Sequence, residues 1–131
     1  MAPFVDSNIL LYLISTDAAK SQRAETLLAG GAVISVQVLN EFANVARRKH
    51  SLDWQELQQV LGGIAMVCDV RDLTLATHQR GLALASRYQL SVYDAMIAAA
   101  ALDAGCDTLM SEDFQTGIRL GGSLVVVNPF L

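Results

Sequence analysis

Short apolar or β-branched runs, three to six residues long, alternate along this chain with longer stretches of helical period. Strands read at "PFV", "AVIS" (32–35), "AMVCDV" (65–70), "DTLMS" (107–111) and "SLVVVN" (123–128). Between them, helical spacing covers Ser7 to Ile14, Ala18 to Ala29, Val36 to Lys49, Asp53 to Leu61, Leu73 to Tyr88 and Val92 to Ala104. Strands separated by helices cannot pair as hairpins, so the pattern demands crossover connections and a parallel sheet covered on both faces. An α/β class follows, and 131 residues suffice for one such domain spanning 1–131. The turn chemistry agrees: "GG" at 30 and 31 follows one helix, Ser91 stands where a cap is needed, and Gly105 closes the helix it opens. That last helix, "VYDAMIAAAALDA", is apolar on nearly every side and is expected in the core, with part of it at a subunit interface.

Composition narrows the function classes. Hydrophobic residues make up 53% of the chain and charged residues 17%, which disfavours disorder. A net charge of −4 argues against a broad nucleic-acid-binding face, although carboxylates gathered at a cation would account for the same excess. Cys68 and Cys106 have no paired-ligand spacing, so neither a zinc site nor a disulfide framework is expected; both read as buried thiols in a reducing compartment. The longest apolar run, "AMIAAAAL" at 95–102, is far short of the roughly 18 residues of a membrane span, and no leader pattern precedes it. The expected location is cytoplasmic, without membrane association.

An open parallel sheet binds ligands beyond the carboxyl ends of its strands, where strand order reverses. Four acids fall near such ends: Asp6 after the first strand, Glu41 two turns into the helix after "AVIS", Asp94 in the first turn of the apolar helix, and Asp113 after "TLMS". Each has an ordinary explanation. Asp6 suits a helix N-cap; Asp94 completes the capping pattern "SVYD" with Ser91; Glu41 suits a helix surface; Asp113 suits a loop. Taken together they are less ordinary, because converging carboxylates repel and either take up protons or hold a cation. Oxygen ligands without His or Cys suit Mg²⁺ or Mn²⁺.

The stretches "FVDSNILLYL", "SVQVLNEFANV", "SVYDAMIAAAAL" and "LMSEDF" together resemble the PIN-domain ribonucleases, most closely the VapC toxins of bacterial toxin–antitoxin pairs. The resemblance spans nearly the whole chain in order. It implies a PIN-like α/β/α sandwich with a central parallel sheet of four to five strands, and a Mg²⁺- or Mn²⁺-dependent endoribonuclease. By position, its acidic catalytic and metal-binding set falls on Asp6, Glu41, Asp94 and Asp113, with Asp6 and Asp94 the preferred direct ligands. Asn8 and Ser111 match its supporting polar positions. It also implies a homodimer and a small antitoxin that blocks the acidic site.

RNA must also be held by its backbone. "RRKH" at 47–50 is the one dense basic segment, so Arg47, Arg48 and Lys49 are the candidate phosphate contacts, with Lys20 and Arg23 able to add to them. Favourable charge at a helix C-terminus explains the same cluster. Two other α/β acid sites fit poorly: a phosphorylated receiver domain needs paired acids near the first strand and a late lysine, and a haloacid-type phosphatase needs an acid two residues after its nucleophile, where Asn8 stands. A non-catalytic PIN-like module that binds RNA or regulates is the remaining alternative.

Overall fold

The computed structural model describes residues 1–131. Its strands are β1 (Phe4–Val5), β2 (Val33–Ser35), β3 (Asp69–Arg71), β4 (Thr108–Met110), β5 (Arg119–Leu120) and β6 (Leu124–Val127). Its helices are α1 (Ser7–Leu10), α2 (Ala18–Ala29), α3 (Val36–Lys49), α4 (Trp54–Val67), α5 (Leu75–Tyr88) and α6 (Val92–Asp103). The sheet runs in the order β3-β2-β1-β4-β6-β5, parallel throughout except for β5 against β6. The chain therefore steps outward from β1 through β2 to β3, then returns to lay β4 on the other side of β1. The gap between the carboxyl ends of β1 and β4 is thus the switch point at which open α/β sheets bind ligands.

The core explains why α6 carries so many alanines. Ala95, Ile97, Ala98, Ala99 and Ala101 have no exposed surface, so α6 lies pressed against the sheet and its neighbours. Small side chains let the elements approach closely. At the α5–α6 contact, a Cβ on Gly81 would stand 2.6 Å from the Met96 sulfur, so a side chain there would have to displace the flexible end of Met96. Phe4, Ile9, Val38, Phe42 and Leu109 are likewise fully buried around the central strands. No helix is long and apolar enough to cross a membrane.

Ser91 opens α6 as expected, its hydroxyl accepting the Asp94 N–H at 3.1 Å. The Asp94 carboxylate makes no reciprocal bond to the Ser91 backbone N–H, although the Ser91 hydroxyl partly offsets the rise that burial gives its pKa. Ser91→Ala should cost about 1 kcal/mol through the lost N-cap, readable as a lower thermal midpoint with the fold retained.

Two expectations need correction. The run "AMVCDV" is not a strand over 65–70: α4 continues to Val67 and the strand begins at Asp69. A short apolar run has no period to separate helix from strand, and Met66 is 88% exposed rather than buried as a central strand residue would be. The stretch Ser7 to Ile14 is one turn of α-helix tightening into a 3₁₀ turn over Leu11–Ile14. The central parallel sheet has five strands, within the expected four to five, and a sixth, the two-residue β5, pairs antiparallel with β6 across a turn at Gly121 and Gly122, both at positive φ (58° and 84°). Two residues are too few to leave a sequence pattern.

Candidate active site

The register of the sheet builds the site. The Asp6 N–H donates to the Met110 carbonyl at 3.0 Å, which continues the β1–β4 pairing by one residue and sets Asp6 beside Ser111. Asp6 is 2% exposed and Ser111 0%. The Ser111 hydroxyl donates to Asp6 Oδ2 at 2.7 Å, and its oxygen accepts the Asp113 N–H at 3.1 Å and the Asn8 amide at 3.2 Å. Asn8 also donates to Asp6 Oδ2 at 3.4 Å, while its own Oδ1 accepts the Glu112 N–H at 3.3 Å. Asp6 Oδ1 caps α1 by accepting the Ser7 N–H at 2.7 Å. Asp6 is therefore both the cap that its position suggested and a carboxylate clamped by neighbours from two strand ends. Asn8 and Ser111 supply that clamp.

The other acids approach from the flanking helices. Glu41 faces the cluster from α3, its Oε2 accepting the Gln37 amide at 3.2 Å. Burial pushes the Asp6 carboxyl from the ordinary 3.8 up to about 6, against the lowering by Ser111 and Ser7, and repulsion from Asp113 and Asp94 adds to it. Burial, then repulsion from Asp6, Asp94 and Asp113, pushes Glu41 up to about 7. Asp94 is raised as well, by burial and then by Asp113. These mutual repulsions mark one shared field of negative charge made by Asp6, Glu41, Asp94 and Asp113.

No cation of the protein answers it. The three ion pairs are Lys20–Glu112, Arg71–Asp69 and Arg80–Asp103, and none includes one of the four acids. An all-oxygen, uncompensated donor set fits Mg²⁺ or Mn²⁺. No three Asp, Glu, His or Cys side chains stand close enough to clasp one ion directly.

Two features went unseen in the sequence. Glu112 turns away from the cluster: the Tyr12 hydroxyl donates to it at 2.7 Å, and the Lys20 ammonium lies 3.7 Å from it and over the Tyr12 ring. Only the fold brings Glu112 to Tyr12 and Lys20, since Tyr12 and Glu112 are 100 residues apart in sequence. Gln37, by contrast, left a readable sign, because Gln37, Asn40, Glu41 and Asn44 follow the i, i+3, i+4, i+7 period of a single polar helix face.

The basic cluster divides. Arg47 stacks over the Trp54 ring at 4.0 Å and donates to the Leu52 carbonyl at 2.9 Å, which holds the α3–α4 corner. Arg48 is exposed. Lys49 and His50 line a cavity of about 250 Å³ with Asn8, Tyr12 and Glu112, directly beside the acidic cluster. His78 is exposed on α5, and Cys68 and Cys106 are buried free thiols.

The PIN domain family model matches residues 4–116. A toxin–antitoxin complex from Klebsiella pneumoniae aligns at 22% identity with a TM-score of 0.73, over 97% of each chain. VapC20 of Mycobacterium tuberculosis, a sarcin–ricin loop cleaving toxin, aligns at 19% identity with a TM-score of 0.68, over 84% of this chain and 88% of that one. VapBC2 from Rickettsia felis, bound to a DNA fragment from its promoter, aligns at 18% identity with a TM-score of 0.72, over 96% and 97%. No curated protein sequence matches significantly. These structures share the fold, and the family model covers most of the chain from β1 past Asp113: the chain belongs to the PIN domain family.

Proposed function

We propose that this protein is a Mg²⁺- or Mn²⁺-dependent endoribonuclease and the toxin of a type II toxin–antitoxin pair. The observation that carries the reading is the field of four acids at the β1/β4 switch point, with no protein cation to offset it. Asp6 and Asp94 would hold the ion, and Glu41 and Asp113 would act through its waters or hold a second one. When bound, the ion would offset phosphate charge and lower the pKa of an attacking water. The protein's own part is positional. Ser111, Asn8 and the Ser7 N–H fix the Asp6 carboxylate in one rotamer, as partners of ligands do in metal sites generally. Gln37 fixes Glu41 by its amide at 3.2 Å. Lys49, at the adjacent cavity, is placed to hold the phosphate backbone of the substrate.

The toxin role draws on the shared fold with toxins that are solved with their antitoxins. An antitoxin partner and a homodimer would each need apolar surface, and Trp54, Met66 and Val67 are exposed on α4. The decisive experiment incubates the purified chain with single-stranded RNA and DNA. Endonucleolytic RNA cleavage with Mg²⁺ or Mn²⁺, lost in EDTA and restored by either ion, is the expected result. Equal cleavage in EDTA would remove the metal-dependent reading. No cleavage under any condition would leave the non-catalytic module.

A further inference from the structure

The face of α3 next to Glu41 opens on a second cavity, of about 390 Å³, lined by Gln37, Asn40, Glu41, Asn44 and Tyr93. Its chemistry differs from that of the cavity holding Lys49: it contains no Lys or Arg, so it offers a phosphate no positive charge. It offers carboxamides instead. Asn40 and Asn44 are exposed, one helical turn apart, and face the same space. Gln37 is committed to Glu41, which leaves these two asparagines as the free donor–acceptor groups of the wall. Across from them, at the start of α6, the Tyr93 ring is 66% exposed, next to Asp94. An aromatic ring left in water beside a pair of unengaged carboxamides matches no packing need of the fold.

We infer that this cavity is a nucleobase subsite for the RNA nucleotide flanking the scissile phosphate, with Tyr93 stacking on the base and Asn40 and Asn44 reading its edge. The inference rests on the ribonuclease reading of the acidic cluster and adds to it the origin of base preference. A carboxamide presents one donor and one acceptor side by side, the pairing that recognises base edges, whereas an ammonium or guanidinium reads phosphate with little regard to sequence. Unpaired bases are held in this way on aromatic faces and by edge hydrogen bonds. The two cavities then divide the labour across the acids: Lys49 takes backbone on one side, and the carboxamides and Tyr93 take a base on the other.

All three residues are at the surface, so their substitution leaves the core intact. Affinity is read by fluorescence anisotropy with labelled A₁₂, C₁₂ and U₁₂ RNA, in buffer containing Ca²⁺ in place of Mg²⁺. Wild-type affinities for the three should differ by about tenfold. Tyr93→Ala should weaken binding about tenfold and Tyr93→Phe should retain it, while the Asn40→Ala/Asn44→Ala double variant should bring the three affinities within about twofold of one another. With Mg²⁺, sequencing of cut ends should show a base bias beside the cut that the double variant loses. Base-selective binding without any cleavage would keep the subsite and remove the nuclease reading. RNA cleavage with unchanged KM and unchanged cut-site bias in both variants would keep the nuclease and overturn the subsite. Equal weakening for all three oligonucleotides, vanishing at high salt, would assign the cavity to the backbone and also overturn it.

Discussion

Asp6→Asn should abolish metal-dependent RNA cleavage while leaving a folded protein. The substitution is nearly isosteric and keeps the cap of α1, since its Oδ1 can still accept the Ser7 N–H. The amide meets a Ser111 oxygen that already accepts from Asp113 and Asn8, so that hydrogen bond and the weak 3.4 Å bond from Asn8 both become donor against donor unless Asn8 turns aside. Negative charge at the switch point is what disappears. Loss of a group that merely orients a metal ligand typically costs about ten- to a hundredfold, so loss of a direct ligand should exceed roughly a hundredfold in kcat/KM. Circular dichroism should show unchanged helix content, and initial rates on a labelled RNA measure the loss. A folded Asp6→Asn protein that cuts at the wild-type rate would exclude Asp6 as a ligand.

Much of this site was legible in the sequence because strand ends are legible. β1, β2 and β4 end where apolar runs give way to polar residues, and the rule for open α/β sheets then says where their ligands lie. Asp6 and Ser111 could be placed near one another on that basis, though their 2.7 Å hydrogen bond depends on the register Val5 to Met110, which no local pattern states. Glu41 was placed at the margin of a buried face by its period alone, and it is half-buried there. What stayed hidden were contacts made across long sequence separations. Glu112, adjacent to Asp113, could not be assigned to the cluster or away from it until Tyr12 and Lys20 were seen to engage it. Arg47 read as a phosphate contact because its charge is visible in sequence and the Trp54 ring beneath it is not. The length of α4 was missed for a different reason: the helix was read only to Leu61 and the run after it as a strand, whereas Gly62 and Gly63 are exposed with open space around them, and the apolar face at Leu57 and Ile64 carries the helix past them.

The same uncompensated charge predicts how the metal-free protein responds to pH. A carboxyl whose folded pKa lies above its unfolded value binds its proton more tightly in the folded state, so it favours folding most at low pH and loses that effect as pH rises through the folded value. For Asp6 the window runs from the ordinary 3.8 to about 6, and for Glu41 from 4.5 to about 7. For the deeply buried Asp6 this amounts to about 3 kcal/mol; Glu41 is half exposed, solvent screens it, and its share is smaller. In EDTA the thermal midpoint should therefore fall by roughly 5 °C between pH 5 and pH 8, about half of the Asp6 effect being already lost at pH 5, after subtraction of the same scan on Asp6→Asn, which lacks the ionisable group. Asp6→Asn should for that reason be more stable than wild type at pH 8 without metal, and indistinguishable from it near pH 4. Adding Mg²⁺ or Mn²⁺ at pH 8 should reverse the order. An ion that binds only the folded carboxylates stabilises wild type by about 4.1 kcal/mol at a thousand times its dissociation constant, more than the Asp6 carboxylate costs at pH 8, and should do little for Asp6→Asn. Scanning calorimetry of the two proteins at two pH values, with and without the ion, measures all of these differences. A wild-type midpoint that neither falls with pH relative to Asp6→Asn nor rises with added ion would mean that the four acids do not form a cation site. A fall with pH that no divalent ion relieves would mean that they repel one another for some purpose other than binding metal.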